Sequence, residues 1–136
     1  MWYNDYWINE EGGIFTKIHL NGYLKDITNN TKNIIDTTAI KTKNRISYQD
    51  NQEQYTIHTS SSNQLILNRK TDSIDCTLYF EENKIKEAIY YIKGNDLSLE
   101  IKIRTNHIKI SDNSIKINYT VIDSDNDYEY NIEMSE

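Results

Sequence analysis

Three histidines, one cysteine, a run of acids near the C-terminus and 11 tyrosines are the side chains of this 136-residue sequence that could carry chemistry. A metal centre needs imidazoles, thiolates or carboxylates converging at fixed spacing. His19, His58 and His107 show no i, i+2 or i, i+4 pairing with a third ligand nearby. His19 and His58 fall on the solvent phase of alternating segments, and His107 belongs to the turn signal "RTNH". All three read as surface imidazoles, and no metal or other cofactor is expected. Cys76 shares its phase with Ile74, Leu78 and Phe80, as a core thiol would. Nothing nearby in sequence supplies the base and positive field a nucleophilic thiolate requires.

The acidic run "DSDNDYE", from Asp123 to Glu129, begins like an EF-hand loop. It lacks the glycine at the sixth loop position and the bidentate glutamate at the twelfth. A polar hairpin is the reading, with weak Ca²⁺ binding as its alternative. Serine hydrolysis would need a G-x-S-x-G elbow, and phosphate binding a Gly-rich loop; the glycines are only Gly12, Gly13, Gly22 and Gly94. Glu81 and Glu82 form a solvated pair at a turn signal. No catalytic constellation emerges, and a non-enzymatic protein is expected.

Tyrosines remain. Tyr48, Tyr55, Tyr79, Tyr90, Tyr91, Tyr119, Tyr128 and Tyr130 are distributed along most of the alternating segments. Such rings can hold a flat or amphipathic ligand by packing and by hydroxyl hydrogen bonds; they also stabilise sheets as ordinary cross-strand pairs. The candidate ligand-binding set is Tyr79, Phe80, Tyr91, Leu99, Ile101 and Tyr119.

The elements that must position these residues are strands. In "IHLNGYL" one face carries Ile18, Leu20, Gly22 and Leu24; in "IDCTLYF" it carries Ile74, Cys76, Leu78 and Phe80. "LSLEIKI" turns Leu97, Leu99, Ile101 and Ile103 inward, "IKINYTV" Ile115, Ile117, Tyr119 and Val121, and "YEYNIEM" Tyr128, Tyr130, Ile132 and Met134. Period two repeated this often means strands with one buried and one wet face. Polar turn signals about every ten residues divide nine to ten candidate strands, the spacing of an all-β meander, sandwich or barrel. "NKIKEAIYYIKG" alone is ambiguous, because Ile85, Ala88, Ile89 and Ile92 also satisfy a helical face. Closure would remove the edges that so many antiparallel strands expose.

Composition narrows the partners. A net charge of −6 with interspersed signs disfavours nucleic acid and anionic membranes; the densest basic stretch, "IKTKNR" ending at Arg45, is short. No apolar run approaches the ~20 residues of a membrane-spanning helix, and no secretory leader is visible, so a cytoplasmic location is expected. One cysteine excludes an internal disulfide framework. Residues 14–136 read as one barrel domain, and residues 1–13 as a separate aromatic segment. That segment, with Trp2, Tyr3, Tyr6 and Trp7, has the apolar surface of a lid or a homodimer interface.

The stretch "YYIKGNDLSLEIKIRTNHIKI" resembles the YwiB-like family of bacterial domains of unknown function. An aromatic strand (Tyr90, Tyr91) leads through Gly94 into Leu97, Leu99, Ile101 and Ile103, then Thr105 and Ile108. The pattern continues over roughly residues 16 to 134. Family members often carry a proline before the turn glycine, whereas this chain has none. The resemblance implies an antiparallel up-and-down, calycin/lipocalin-like β-barrel of about 8–10 strands, and implies a strand for residues 84–93. It implies no activity. Two functions are therefore in view: a small, partly apolar ligand held in the barrel, or a side-chain-filled barrel that meets a protein partner, as monomer or homodimer.

Overall fold

The computed structural model describes residues 2–3, 6–8 and 14–136, with side chains from residue 15 onward. Two short strands, β1 (Trp2–Tyr3) and β2 (Tyr6–Ile8), precede β3 (Ile14–Asp26), β4 (Thr31–Lys41), β5 (Arg45–Asp50) and β6 (Glu53–Ser61). There follow β7 (Gln64–Lys70), β8 (Ile74–Glu81), β9 (Ile85–Ile92), β10 (Leu97–Ile110), β11 (Ser114–Val121) and β12 (Asn126–Ser135). Each strand from β3 to β12 pairs antiparallel with the next, and β3 pairs with both β4 and β12. Ten strands thus close into an up-and-down barrel. The ambiguous segment is strand β9, because its alternate residues Ala88 and Tyr90 face inward beside Ile101 and Cys76.

With few glycines, the chain builds its hairpins on asparagine and aspartate. Asn30, Asn83, Asp96 and Asp125 have positive φ of 55°, 62°, 50° and 54°, a conformation these short polar side chains tolerate. Asn51 and Gln52 are both positive, as a two-residue type I′ turn demands. The run from Asp123 is the hairpin between β11 and β12, with Asp127 accepting a bond from Thr120 Oγ1 at 2.6 Å.

Two departures from simple alternation matter. "RTNH" is not a turn: β10 runs through it, with a bulge between Thr105 and His107. The extra residue switches the inward set from Ile103 and Thr105 to Ile108. Buried Thr105 anchors this kink, its backbone bonding Asn83 and Lys84 and its hydroxyl the Glu81 amide. The second departure concerns Leu97 and Leu99, which are 47% and 46% exposed. Bonding of β10 on the β11 side begins only at Lys102, whose carbonyl accepts from the Ile122 amide, so residues 97–100 have β9 on one side and project past the barrel wall.

The interior has two halves. Leu20, Ile57, Leu65, Ile115, Ile117 and Ile132 are fully buried and pack closely in the half nearest the start of β3. At Gly22 the neighbouring strand approaches so closely that an added Cβ would lie 1.9 Å from the Asn131 carbonyl oxygen and 2.8 Å from Ile132 Cα. Strand β2 pairs with residues 14–16 of β3, on the edge β12 occupies further along. Strand β2 therefore lies at the end of the barrel where β3 starts.

Gly22→Ala should destabilise the barrel by about 3 kcal/mol in urea unfolding, since backbone rather than a mobile side chain must move. Gly94→Ala, with nothing within 4 Å of the added Cβ, should stay within about 0.5 kcal/mol.

Candidate functional site

Register carries the inward residues at the other end of the barrel into one row. Tyr48 pairs with Tyr55, Tyr55 with Arg69, Arg69 with Cys76, and Cys76 with Tyr90, across β5 to β9. Opposite them, Tyr119 pairs with Tyr128 across β11 and β12, and Tyr130 with Leu24 across β12 and β3. Between the two sides lies a cavity of about 550 Å³, within the range of small-molecule sites. Its floor is Leu67, Leu78, Phe80 and Ile103, its walls include Ile101, Val121 and five tyrosines, and exposed Asn33 and Asn51 border its mouth.

The aromatic walls are mutually braced. Tyr48 and Tyr55 stack with centroids 4.8 Å apart and planes 5° apart. Tyr119 stacks on Tyr128 at 5.2 Å and tilts against Phe80 at 5.0 Å. The buried hydroxyls of Tyr48 and Tyr130 hydrogen-bond each other, so neither is left without a partner. Tyr90 stands directly opposite Cys76 across β8 and β9. The Tyr119 residue is more than nine-tenths buried, but its unpartnered hydroxyl stays accessible from the cavity; the buried side-chain polar atom without a partner among the described residues is Asn131 Oδ1.

One ion pair belongs to the lining. Arg69 donates from Nε to Glu53 Oε2 at 3.0 Å and from Nη2 to Oε1 at 2.7 Å. Tyr55 donates to Glu53 Oε2 at 2.5 Å. The Arg69 bonds hold the Glu53 carboxyl below the usual carboxylate range. Burial raises the hydroxyl pKa values of Tyr48, Tyr55, Tyr90, Tyr119 and Tyr130, and burial also raises the Cys76 thiol. At neutral pH these tyrosines are uncharged donors, and the thiol is protonated. The arrangement can pack against a ligand and hydrogen-bond it, but it does not assemble an activated nucleophile.

Of the six residues singled out from sequence, Phe80, Ile101 and Tyr119 line the cavity. Tyr79 and Tyr91 do not, because their parity places them on the outer face; Tyr91 donates to Asp96 Oδ1 at 2.5 Å. Leu99 has inward parity but lies in the projecting part of β10, outside the cavity lining. The histidines are dispersed, with His19 2.6 Å from Asp36, His107 3.1 Å from Glu82, and His58 exposed. The side chains of Trp2, Tyr3, Tyr6 and Trp7, read as a lid or interface, lie outside the described residues. Sequence reasoning missed Glu53 and Arg69, since isolated charges within polar runs look solvated. The usable signal was parity, which puts Glu53, Tyr55, Arg69 and Cys76 on the inward set.

No protein-family profile and no curated protein matches the chain. Among solved structures, the crystal structure of the ywiB protein from Bacillus subtilis superposes with a TM-score of 0.65. The match covers 88% of this chain and 89% of that one, at 17% sequence identity. The resemblance read from the residues therefore holds at the level of the fold.

Replacing Tyr130 by Phe leaves the Tyr48 hydroxyl buried and unpaired, which should cost about 1–3 kcal/mol. A double-mutant cycle with Tyr48→Phe should show the double variant losing less than the sum of the singles. The depressed Glu53 carboxyl implies a further pH effect. Its stabilisation is complete above the unfolded value of 4.5 and is lost as pH falls through the lower folded value. Urea midpoints should consequently fall more steeply below pH 4.5 in the wild type than in Arg69→Gln. At pH 7 that variant should lose only about 1 kcal/mol, because the guanidinium is partly solvated.

Proposed function

We propose that this protein is a non-catalytic, calycin-like barrel that binds a small, flat, partly apolar ligand in the tyrosine-lined cavity. The observation that carries this reading is the cavity of about 550 Å³ itself, with apolar and tyrosine walls and with the Tyr119 hydroxyl at its lining free of any partner among the described residues. A hydroxyl open to the cavity can donate to an oxygen or nitrogen of a ligand bound there. The aromatic floor and walls supply the apolar contact, while stacking keeps the rings from collapsing into the space. With Tyr55, Tyr90, Tyr119 and Tyr130 held neutral by burial, recognition would proceed by packing and donor placement rather than by proton transfer.

A second reading has its own support. Strand β2 continues the sheet beyond the end of β12, and β1 pairs only with β2 among the described strands. Edges of this kind accept a strand from another chain, so self-association through the N-terminal segment is the alternative role. Strand β2 adjoins the end where β3 starts, and the two roles would use opposite ends of the barrel.

N-phenyl-1-naphthylamine, a neutral flat fluorophore, provides the test. Wild-type protein should give saturable, blue-shifted emission at one probe per chain, and Ile101→Trp, which fills the cavity, should abolish it. Absence of saturable binding, or binding unchanged in the filled variant, would overturn the ligand reading. Sedimentation of the same samples across a dilution series should show whether a dimer forms through the N-terminal segment.

A further inference from the structure

Resting on the binding reading above, we infer that the ligand is a flat monoacid whose carboxylate is taken by Arg69 while its ring system lies among the tyrosines. The unused hydrogen-bonding capacity around the cavity decides the sign of the charge. Glu53 already accepts three bonds, two from Arg69 and one from Tyr55. A cationic ligand would find this carboxylate engaged and would face a guanidinium beside it. Arg69 is in the opposite condition. A guanidinium has five N–H groups, and among the described residues only two of them are used, both on Glu53. Its side chain is 41% exposed against 26% for Glu53, so the cation is the more accessible partner.

Geometry places ring and acid together. Arg69 sits in register between Tyr55 and Cys76, and Tyr90 follows in the same row. A carboxylate at the guanidinium would therefore lie at one wall, with the attached ring reaching the unpartnered Tyr119 hydroxyl. That hydroxyl serves as a donor to an ether, keto or phenol oxygen on the ring. The face of a tyrosine also attracts cations, but here Arg69 itself occupies the cationic position beside the rings. A second cation is disfavoured by like-charge repulsion in a partly dehydrated space.

Isothermal titration calorimetry at pH 7 with 2-naphthoate, 2-naphthol and 2-(aminomethyl)naphthalene separates the alternatives. The acid should bind about tenfold or more tightly than the amine, as a charge-assisted contact to arginine provides. Arg69→Gln should erase that difference while leaving naphthol within about threefold of wild type. Glu53→Gln, which releases the guanidinium, should tighten the acid selectively, and circular dichroism would confirm that each variant folds. Naphthol binding without preference for the acid, or a preference for the amine, would overturn this inference and leave the binding reading standing. Failure of all three compounds to bind would overturn both.

Discussion

Strand β3 is hydrogen-bonded to β4 along one edge and to β12 along the other, and closing the sheet this way determines what every other strand can do. An open sheet of the same strands would expose two long edges and one apolar face. Closure converts the inward residues of ten strands into a shared interior. It also requires neighbouring backbones to approach closely at a few places. Gly22 stands at one of them, where the ladders to Ile35 and Ile132 meet and no side chain fits. The permissiveness of glycine matters here for its missing Cβ rather than for its dihedral freedom.

Interior volume in a barrel depends on which side chains each layer of inward positions receives. Near the start of β3 the layers are built from isoleucine and leucine, which pack closely beneath open pockets bordered by Lys41 and Met134. Toward the far end the same positions carry tyrosines and Arg69. Long rings and a guanidinium brace against one another along the wall, by stacking and by hydrogen bonds, instead of meeting in the centre. A cavity results from the shape and polarity of its lining, with no gap in the sheet required. This explains how one barrel combines a closely packed aliphatic layer with a hollow aromatic end.

Chemistry in the hollow half is restrained by the same burial that creates it. Removing tyrosine hydroxyls and the Cys76 thiol from water favours their protonated forms, which suits hydrogen bonding and opposes nucleophilic or base roles. The charged pair persists because Arg69 and Glu53 satisfy each other in a bidentate geometry. Fold similarity to the ywiB protein supplies architecture alone, so any functional argument must rest on this lining.

Much of the fold was legible in the residues because a strand's two faces are a local property with period two. The inward sets of β3, β8, β11 and β12 follow directly from alternation, and the asparagines and aspartates of the hairpins follow from their tolerance of positive φ. Even the bulge in β10 leaves a trace, since apolar parity changes between Ile103 and Ile108. What tertiary structure alone decided is non-local. Only strand register aligns Tyr48, Tyr55, Arg69, Cys76 and Tyr90 in one row, and only pairing of β6 with β7 brings Glu53 to Arg69. Leu99 shows the same limit from the other side: its parity is inward, but its exposure depends on where β11 stops. Alternation names a face, whereas the neighbours on that face are chosen by pairing between residues distant in the chain.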